Sequence, residues 1–222
     1  MSKIVLISTY ELGRPPFGLA SAAAQLQHAG FAVQLVDAAI HPPPDKLVAE
    51  ADLIGLYLPM HTATRLALAL LPRLRSLNPQ APIVAFGLYA PLNARWLQEQ
   101  GVSYCIGGEF ESRLVELASA LLASPGDRKT TVANQVVLDR IPFLPPKRDL
   151  LPPLENYARL VLPDGSQRLA GYTEASRGCK HHCRHCPVVP VYGGRFRVVP
   201  VEVVLEDVAA QVALGAQHIT FG

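Results

Sequence analysis

Cys179, Cys183 and Cys186 stand in the run Cys179-Lys180-His181-His182-Cys183-Arg184-His185-Cys186, so a Cys-x3-Cys-x2-Cys spacing gathers three of the chain's four cysteines. An odd number of thiols this close cannot be satisfied by pairing among themselves, and metal binding is the chemistry such a set serves best. A zinc site usually takes four protein ligands. Here the fourth would have to be His181, His182, His185 or the distant Cys105. An iron–sulfur cluster can instead be held by three thiolates, leaving one iron free for another ligand.

The charge pattern points to the same stretch. The formal net charge is only +2, yet residues 168–197 carry Arg168, Arg177, Lys180, Arg184, Arg195 and Arg197 against Glu174 alone. That segment is +5 and the remainder −3, so positive charge surrounds thiols that become anionic when they bind metal. No broad basic surface interleaved with aromatics accompanies it, so nucleic acid is not the expected partner. No apolar run approaches a membrane span, and Ile4–Ile7 is too short for a signal-peptide core. A cytoplasmic protein with no membrane partner is expected.

The elements that must position these residues are legible as an alternation. Ile4–Ser8, Val33–Val36, Leu53–Leu58, Ile83–Phe86 and Ser103–Ile106 read as buried strands. Between and after them lie helical periods at Leu19, Ala22, Ala23 and Leu26, with Gly30 as a stop, and at Phe110, Leu114, Leu117, Ala118 and Leu121. Trp96 and Leu97 fall in a shorter helix ending at Gly101. Leu66, Leu70, Leu74 and Leu77 form a further period, which Pro72 is expected to kink or divide. The pattern predicts an α/β fold whose first part, residues 1–123, is a five-stranded, doubly wound, Rossmann-like parallel sheet.

Residues 124–167 read as a proline-rich linker with short strands near Val136–Leu138 and Leu160–Leu162, the latter paired with Arg168–Tyr172 through a turn at Asp164-Gly165. Residues 168–222 begin a new alternation: a strand near Tyr172–Ala175, the cysteine loop, a helix over Val201–Leu214 stopped by Gly215, and a strand at His218–Phe221. Two parallel strands and one helix cannot close a core. The expectation is a chain cut within a larger protein, with completion by another chain as the alternative.

The cysteine spacing and its place after a strand resemble the radical S-adenosylmethionine (SAM) superfamily. On that resemblance residues 168–222 are the truncated start of a partial (βα) barrel, and Cys179, Cys183 and Cys186 ligate a [4Fe–4S] cluster. The open iron would chelate SAM, whose reductive cleavage starts radical chemistry. His185, before the third cysteine, would lie near the adenine, and Gly222 stands where the family's glycine-rich SAM-binding run begins. Arg177, Lys180 and Arg184 would offset the charge of cluster and SAM. The run from Arg177 to Pro200, with Tyr192-Gly193-Gly194-Arg195, resembles the radical SAM proteins named for a CUAEP or CCAEP tail. A reducing partner such as flavodoxin or ferredoxin is implied, and the substrate stays unknown.

Gly107-Gly108-Glu109-Phe110-Glu111 resembles the Gly-Glu-x-Glu element of cobalamin-binding domains fused to radical SAM barrels. The implied cofactor edge comprises the loops after the strands, with Thr9, Glu11, Thr62, Gly87, Gly107, Gly108 and Glu109 as candidate cobalamin contacts. Glu111 reads equally as a charge favouring a helix N-terminus. No Asp-x-His-x-x-Gly run is present, and His41 and His61 lack its neighbours, so axial histidine ligation is not expected. The resemblance thus implies an enzyme with a [4Fe–4S] cluster, SAM and cobalamin, and cobalamin-dependent methyl transfer is one outcome. The rivals are a zinc or iron–sulfur module that is structural or passes electrons, and a non-catalytic cobalamin carrier. A domain that kept the fold but lost the cofactor is a further alternative.

Overall fold

In the computed structural model, which describes residues 3–123 and 135–222, the alternating apolar runs become the strands of a parallel sheet. These are β1 (Lys3–Ser8), β2 (Ala32–Asp37), β3 (Leu53–Tyr57), β4 (Ile83–Phe86) and β5 (Tyr104–Gly108). A sixth, β6 (Gln135–Val137), pairs in parallel with β5, giving the order β2-β1-β3-β4-β5-β6. The sheet therefore has six strands and not five: Val136 and Val137, expected within the linker, sit opposite Gly107 and Gly108. Three residues carry too little apolar pattern for their sheet to be read from sequence.

Alternation along β1 explains the two layers. Ile4 and Leu6 face α1 (Phe17–His28), while Val5 and Ile7 face the opposite layer, where α2 (Asp45–Ala49), α3 (His61–Leu77), α4 (Tyr89–Leu92) and α5 (Ala94–Glu99) lie. α6 (Phe110–Ala123) joins α1 on the first face through Leu114, Leu117 and Ala118. Gly30, at φ +89°, ends the α1 turn as expected. Pro72 does not divide α3, which runs unbroken. Its buried face is Ala63, Thr64, Ala67, Leu71 and Leu74, one step round from the predicted leucine stripe, and Leu66 is 45% exposed. Pro72 thus lies on the exposed side of the helix, where its ring meets no packed neighbour layer.

Beyond β6 the proline-rich chain is pinned to α1 and to the loop that precedes it. Lys147 N–H donates to the Ala20 carbonyl at 3.1 Å, and Ala158 N–H to that of Gly13 at 2.8 Å. β7 (Arg159–Val161) and β8 (Gln167–Thr173) form an antiparallel hairpin, and β8 pairs in parallel with β11 (His218–Phe221). Between these come β9 (Ser176–Gly178), the cysteine loop, α7 (Val188–Tyr192), β10 (Phe196–Val198) and α8 (Val201–Ala213). The β9–β10 ladder was not foreseen, because each strand has three residues and Arg177 opposite Arg197 reads as surface.

α8 turns polar side chains inward. Asp207 and Gln211 are buried, whereas Val201, Leu205 and Val212 are each more than half exposed. The cause is a hydrogen-bonded network: Arg148 reaches from the linker to Asp207 with Nε at 2.7 Å and Nη2 at 2.8 Å, and gives a further bond to the Tyr172 carbonyl. Thr173 also donates to Asp207, and Tyr172 N–H donates to Gln211. No helix among the described residues is long and apolar enough to cross a membrane.

Candidate functional site

The strand order places a topological switch between β1 and β3, and ligands of such sheets bind outside the carboxyl ends at that point. A cavity of about 260 Å³ opens there. One wall is the sheet edge, with Glu11 after β1, Met60 after β3, Gly87 after β4 and Gly108 at the end of β5; the other contains Glu174, Arg177, Tyr192 and Gly222. The segment that bears the cysteines therefore closes directly on the ligand edge of the first sheet.

Among the expected contacts on that edge, Glu11, Gly87 and Gly108 line the cavity. Gly87 and Gly108 have φ of +107° and +75°. A Cβ at Gly108 would stand 2.0 Å from the Val137 carbonyl oxygen, so bare backbone is obligatory there. Thr9 is buried and its hydroxyl donates to the Ala63 carbonyl, tying the loop after β1 to the first turn of α3, while Thr62 is exposed. Gly107 is packed against Pro91. Glu109 does not line the cavity; it is fully buried behind it.

Glu11 is the chemically unusual group. Burial, and then the nearby Glu174 charge, push its carboxyl up to about 8, with Arg14 opposing. Its Oε2 is buried without a partner. Burial likewise raises Glu174, against the attraction of Arg177. At neutral pH the cavity thus presents Glu11 as a protonated acid, able to donate as well as accept.

Arg177 departs from its expected role. It is 8% exposed and faces carboxylates, not the thiols. Nη2 lies 2.6 Å from Glu111 Oε1, Nη1 is 3.2 Å from Glu109 Oε2, and Nε is 3.3 Å from Glu174 Oε2. Ser21 donates to Glu111 at 2.7 Å and accepts from Arg177 Nη2 at 3.4 Å. The rings of Phe17, Phe110 and Phe143 stand 5.3–5.8 Å from the guanidinium carbon. Two acidic residues at i and i+2 hint at a shared cation, but nothing in one dimension identifies an arginine 66 positions on from Glu111 as that cation.

The cysteine loop leaves β9 through Gly178, at φ +77°, where a Cβ would meet the Arg195 carbonyl oxygen at 2.2 Å. Cys179 and Cys186 are half-buried, Cys183 is exposed, and all three are free thiols. Cys186 N–H donates to the Cys183 carbonyl at 3.3 Å, folding the two ends of the Cys-x2-Cys part together. Among the described residues no three His, Cys, Asp or Glu side chains converge on one point as a metal would require. The donor set nevertheless suits a thiophilic metal or cluster: three soft sulfur ligands on one loop, partly accessible, beside a cavity. His185 is exposed and does not line the cavity, whereas Gly222 does. Lys180 lies over the Phe196 ring at 5.9 Å. Cys105, by contrast, is buried in β5, and burial pushes its thiol up to about 12, as befits a core residue.

Doubly wound sheet, glycine-lined carboxyl edge and an orphaned polar group at its switch point together define a cofactor-binding α/β domain. Residues 3–118 match the family of B12 binding domains, and the chain belongs to that family. The edge fits such a cofactor chemically, since Ser8 Oγ and Glu11 Oε2 lie at or just beyond the end of β1, buried and unpartnered. The whole chain also superposes on two structures of the radical S-adenosylmethionine methyltransferase TsrM from Kitasatospora setae. One holds cobalamin and a [4Fe–4S] cluster (TM-score 0.70), and the other tryptophan substrate and the SAM analogue aza-SAM (0.69). Identity is 19% in both, so the shared property is the fold. The chain spans about half, 48%, of the length of each.

Proposed function

We propose that this chain carries cobalamin on the carboxyl edge of its first sheet and a [4Fe–4S] cluster on Cys179, Cys183 and Cys186, as part of a radical SAM enzyme. The observation that carries this reading is the juxtaposition of the three free thiols' segment with the ligand edge of a B12 binding domain across one cavity. When bound, the cluster supplies the electron that cleaves SAM, and cobalamin supplies a carrier for a methyl group. Glu11, Gly87 and Gly108, which line the cavity, would hold cobalamin, with Thr9, Thr62 and Gly107 supporting that edge; Gly222, on the cavity wall, and His185, beside Cys186, would serve SAM. Protonated Glu11 gives the cavity a hydrogen-bond donor, and Tyr57, Phe110 and Tyr192 exclude water from its walls. A one-electron donor of the flavodoxin or ferredoxin type reaches the loop from its exposed Cys183 side. The likeness to the methyltransferase TsrM makes methyl transfer the favoured reaction class.

The test uses full-length protein, reconstituted with iron and sulfide without oxygen, then reduced in the presence of SAM. The expected results are SAM cleavage, loss of iron in the triple Cys→Ala variant, and retention of corrin absorbance after hydroxocobalamin is added and excess removed. A preparation that takes only zinc and leaves SAM intact overturns the enzyme reading. Absence of retained corrin overturns the cobalamin assignment alone.

A further inference from the structure

The Gly-Glu-x-Glu run lies on the ligand edge, yet neither of its carboxylates lines the cavity, and both engage one residue of the other part of the chain. Arg177 uses all three guanidinium nitrogens in this contact: Nη1 to Glu109, Nη2 to Glu111 and Ser21, and Nε to Glu174. A planar fork with every nitrogen engaged has one orientation, unlike the point charge of a lysine. Three phenylalanine rings close over it, and it is almost fully removed from water.

What lies on either side of this contact gives it a function. Only Gly178 separates Arg177 from Cys179, and it sits in a left-handed conformation against the Arg195 carbonyl, so the connection has little slack. Two residues span at most ~7 Å of chain. On the partner side, Gly108 and Phe110, the immediate neighbours of Glu109, line the cavity itself. A single side chain thereby fixes where the cysteine loop starts relative to the cofactor edge.

We propose that Arg177 is the positioning residue that sets the distance between the cysteine loop and the B12-binding edge, and that Glu109 and Glu111 are its receptors, not cobalamin contacts. This rests on the function proposed above. It accounts for an acidic pair at the edge of a site where glycine backbone does the binding.

The experiment compares full-length wild type, E109Q/E111Q, R177K and the triple variant R177M/E109Q/E111Q, each loaded with iron, sulfide and hydroxocobalamin and then reduced. The triple variant removes the arginine together with two of its carboxylates, so of the buried charges only Glu174 loses its partner, and its side chain, 21% exposed, keeps some access to water. Three quantities are read: iron and corrin per chain, hydroxocobalamin affinity, and enhancement of the reduced cluster's EPR relaxation by paramagnetic cob(II)alamin, which depends on their separation. The expected result is hydroxocobalamin affinity in E109Q/E111Q within about threefold of wild type, where loss of a direct ligand contact corresponds to about tenfold or more. R177K and the triple variant should hold both cofactors but show weaker cluster–cobalt relaxation enhancement. Unchanged enhancement in the fully loaded triple variant, or a tenfold fall in affinity in E109Q/E111Q, overturns the proposal while leaving the function intact. Wild type that retains no corrin or no cluster overturns both.

Discussion

Replacing Glu11 by Gln changes how stability depends on pH, and the direction follows from the burial of that carboxyl. In the unfolded chain Glu11 loses its proton near the ordinary 4.5, whereas in the folded chain it keeps it to about 8. Between those values the folded state binds more protons than the unfolded one, so unfolding free energy falls as pH rises. The contribution is fully present below about pH 4.5 and is gone once pH passes the folded value. A full shift of this size has a ceiling of roughly 5 kcal/mol, and a partly exposed side chain with Arg14 nearby should deliver about half. Gln keeps the shape and the donor but cannot ionise. Urea unfolding of cofactor-free wild type and E11Q at fixed pH between 5 and 9 should therefore give curves that nearly coincide at the acid end. They should diverge by about 2 kcal/mol or more at the alkaline end, with E11Q the more stable. Subtracting the two profiles removes the contributions of Glu174 and Glu109, which burial also raises. Parallel profiles across the range, or a wild type more stable than E11Q at pH 9, would refute the assignment of a neutral acid to the cavity.

Two other perturbations are equally direct. Arg148→Met strands Asp207, 1% exposed at its side chain, without its bidentate partner; the loss expected in chemical unfolding is about 3–5 kcal/mol, and adding D207N should recover part of it. Gly178→Ala drives a Cβ against the Arg195 carbonyl and should lower the iron bound per chain, as measured after reconstitution. Gly193→Ala, at φ +54° with nothing within 4 Å of the new Cβ, should cost only about 1 kcal/mol and leave iron loading near normal.

The first sheet was legible because its strands are continuous apolar runs and α1 and α6 show a clean helical period. β4 and β11 begin and end where the pattern placed them. β9 and β10 were not, and β6, read as a short strand at Val136–Leu138, could not be assigned to the first sheet, since three-residue strands are made by their partners and carry no period of their own. The leucine stripe on α3 misled by one step because the sheet prefers small side chains there, and Ala63 and Ala67 allow closer approach than Leu66 would. At the candidate site the cysteines announced themselves through spacing. Arg177 did not: a basic residue two positions before a cysteine suggests charge balance for a cluster, and only tertiary contact shows it neutralised by Glu109, Glu111 and Glu174. Glu11 looked like one polar loop residue among several until its burial was known.

The Arg177 contact has a consequence for ancestry and for engineering. Domain fusions are commonly treated as beads that recombination can exchange, each half bringing its own chemistry. Here Glu109 and Glu111 come from one half and Arg177 from the other, and neither side is comfortable buried alone. A chimera that keeps the cysteine half but borrows a sheet lacking those carboxylates inherits a buried cation left with Glu174 alone at its seam. The reverse exchange inherits a stranded acidic pair. The two halves are therefore expected to have been passed on together, with positions 109, 111 and 177 changing in concert or not at all, and grafts that respect this trio should be the ones that fold.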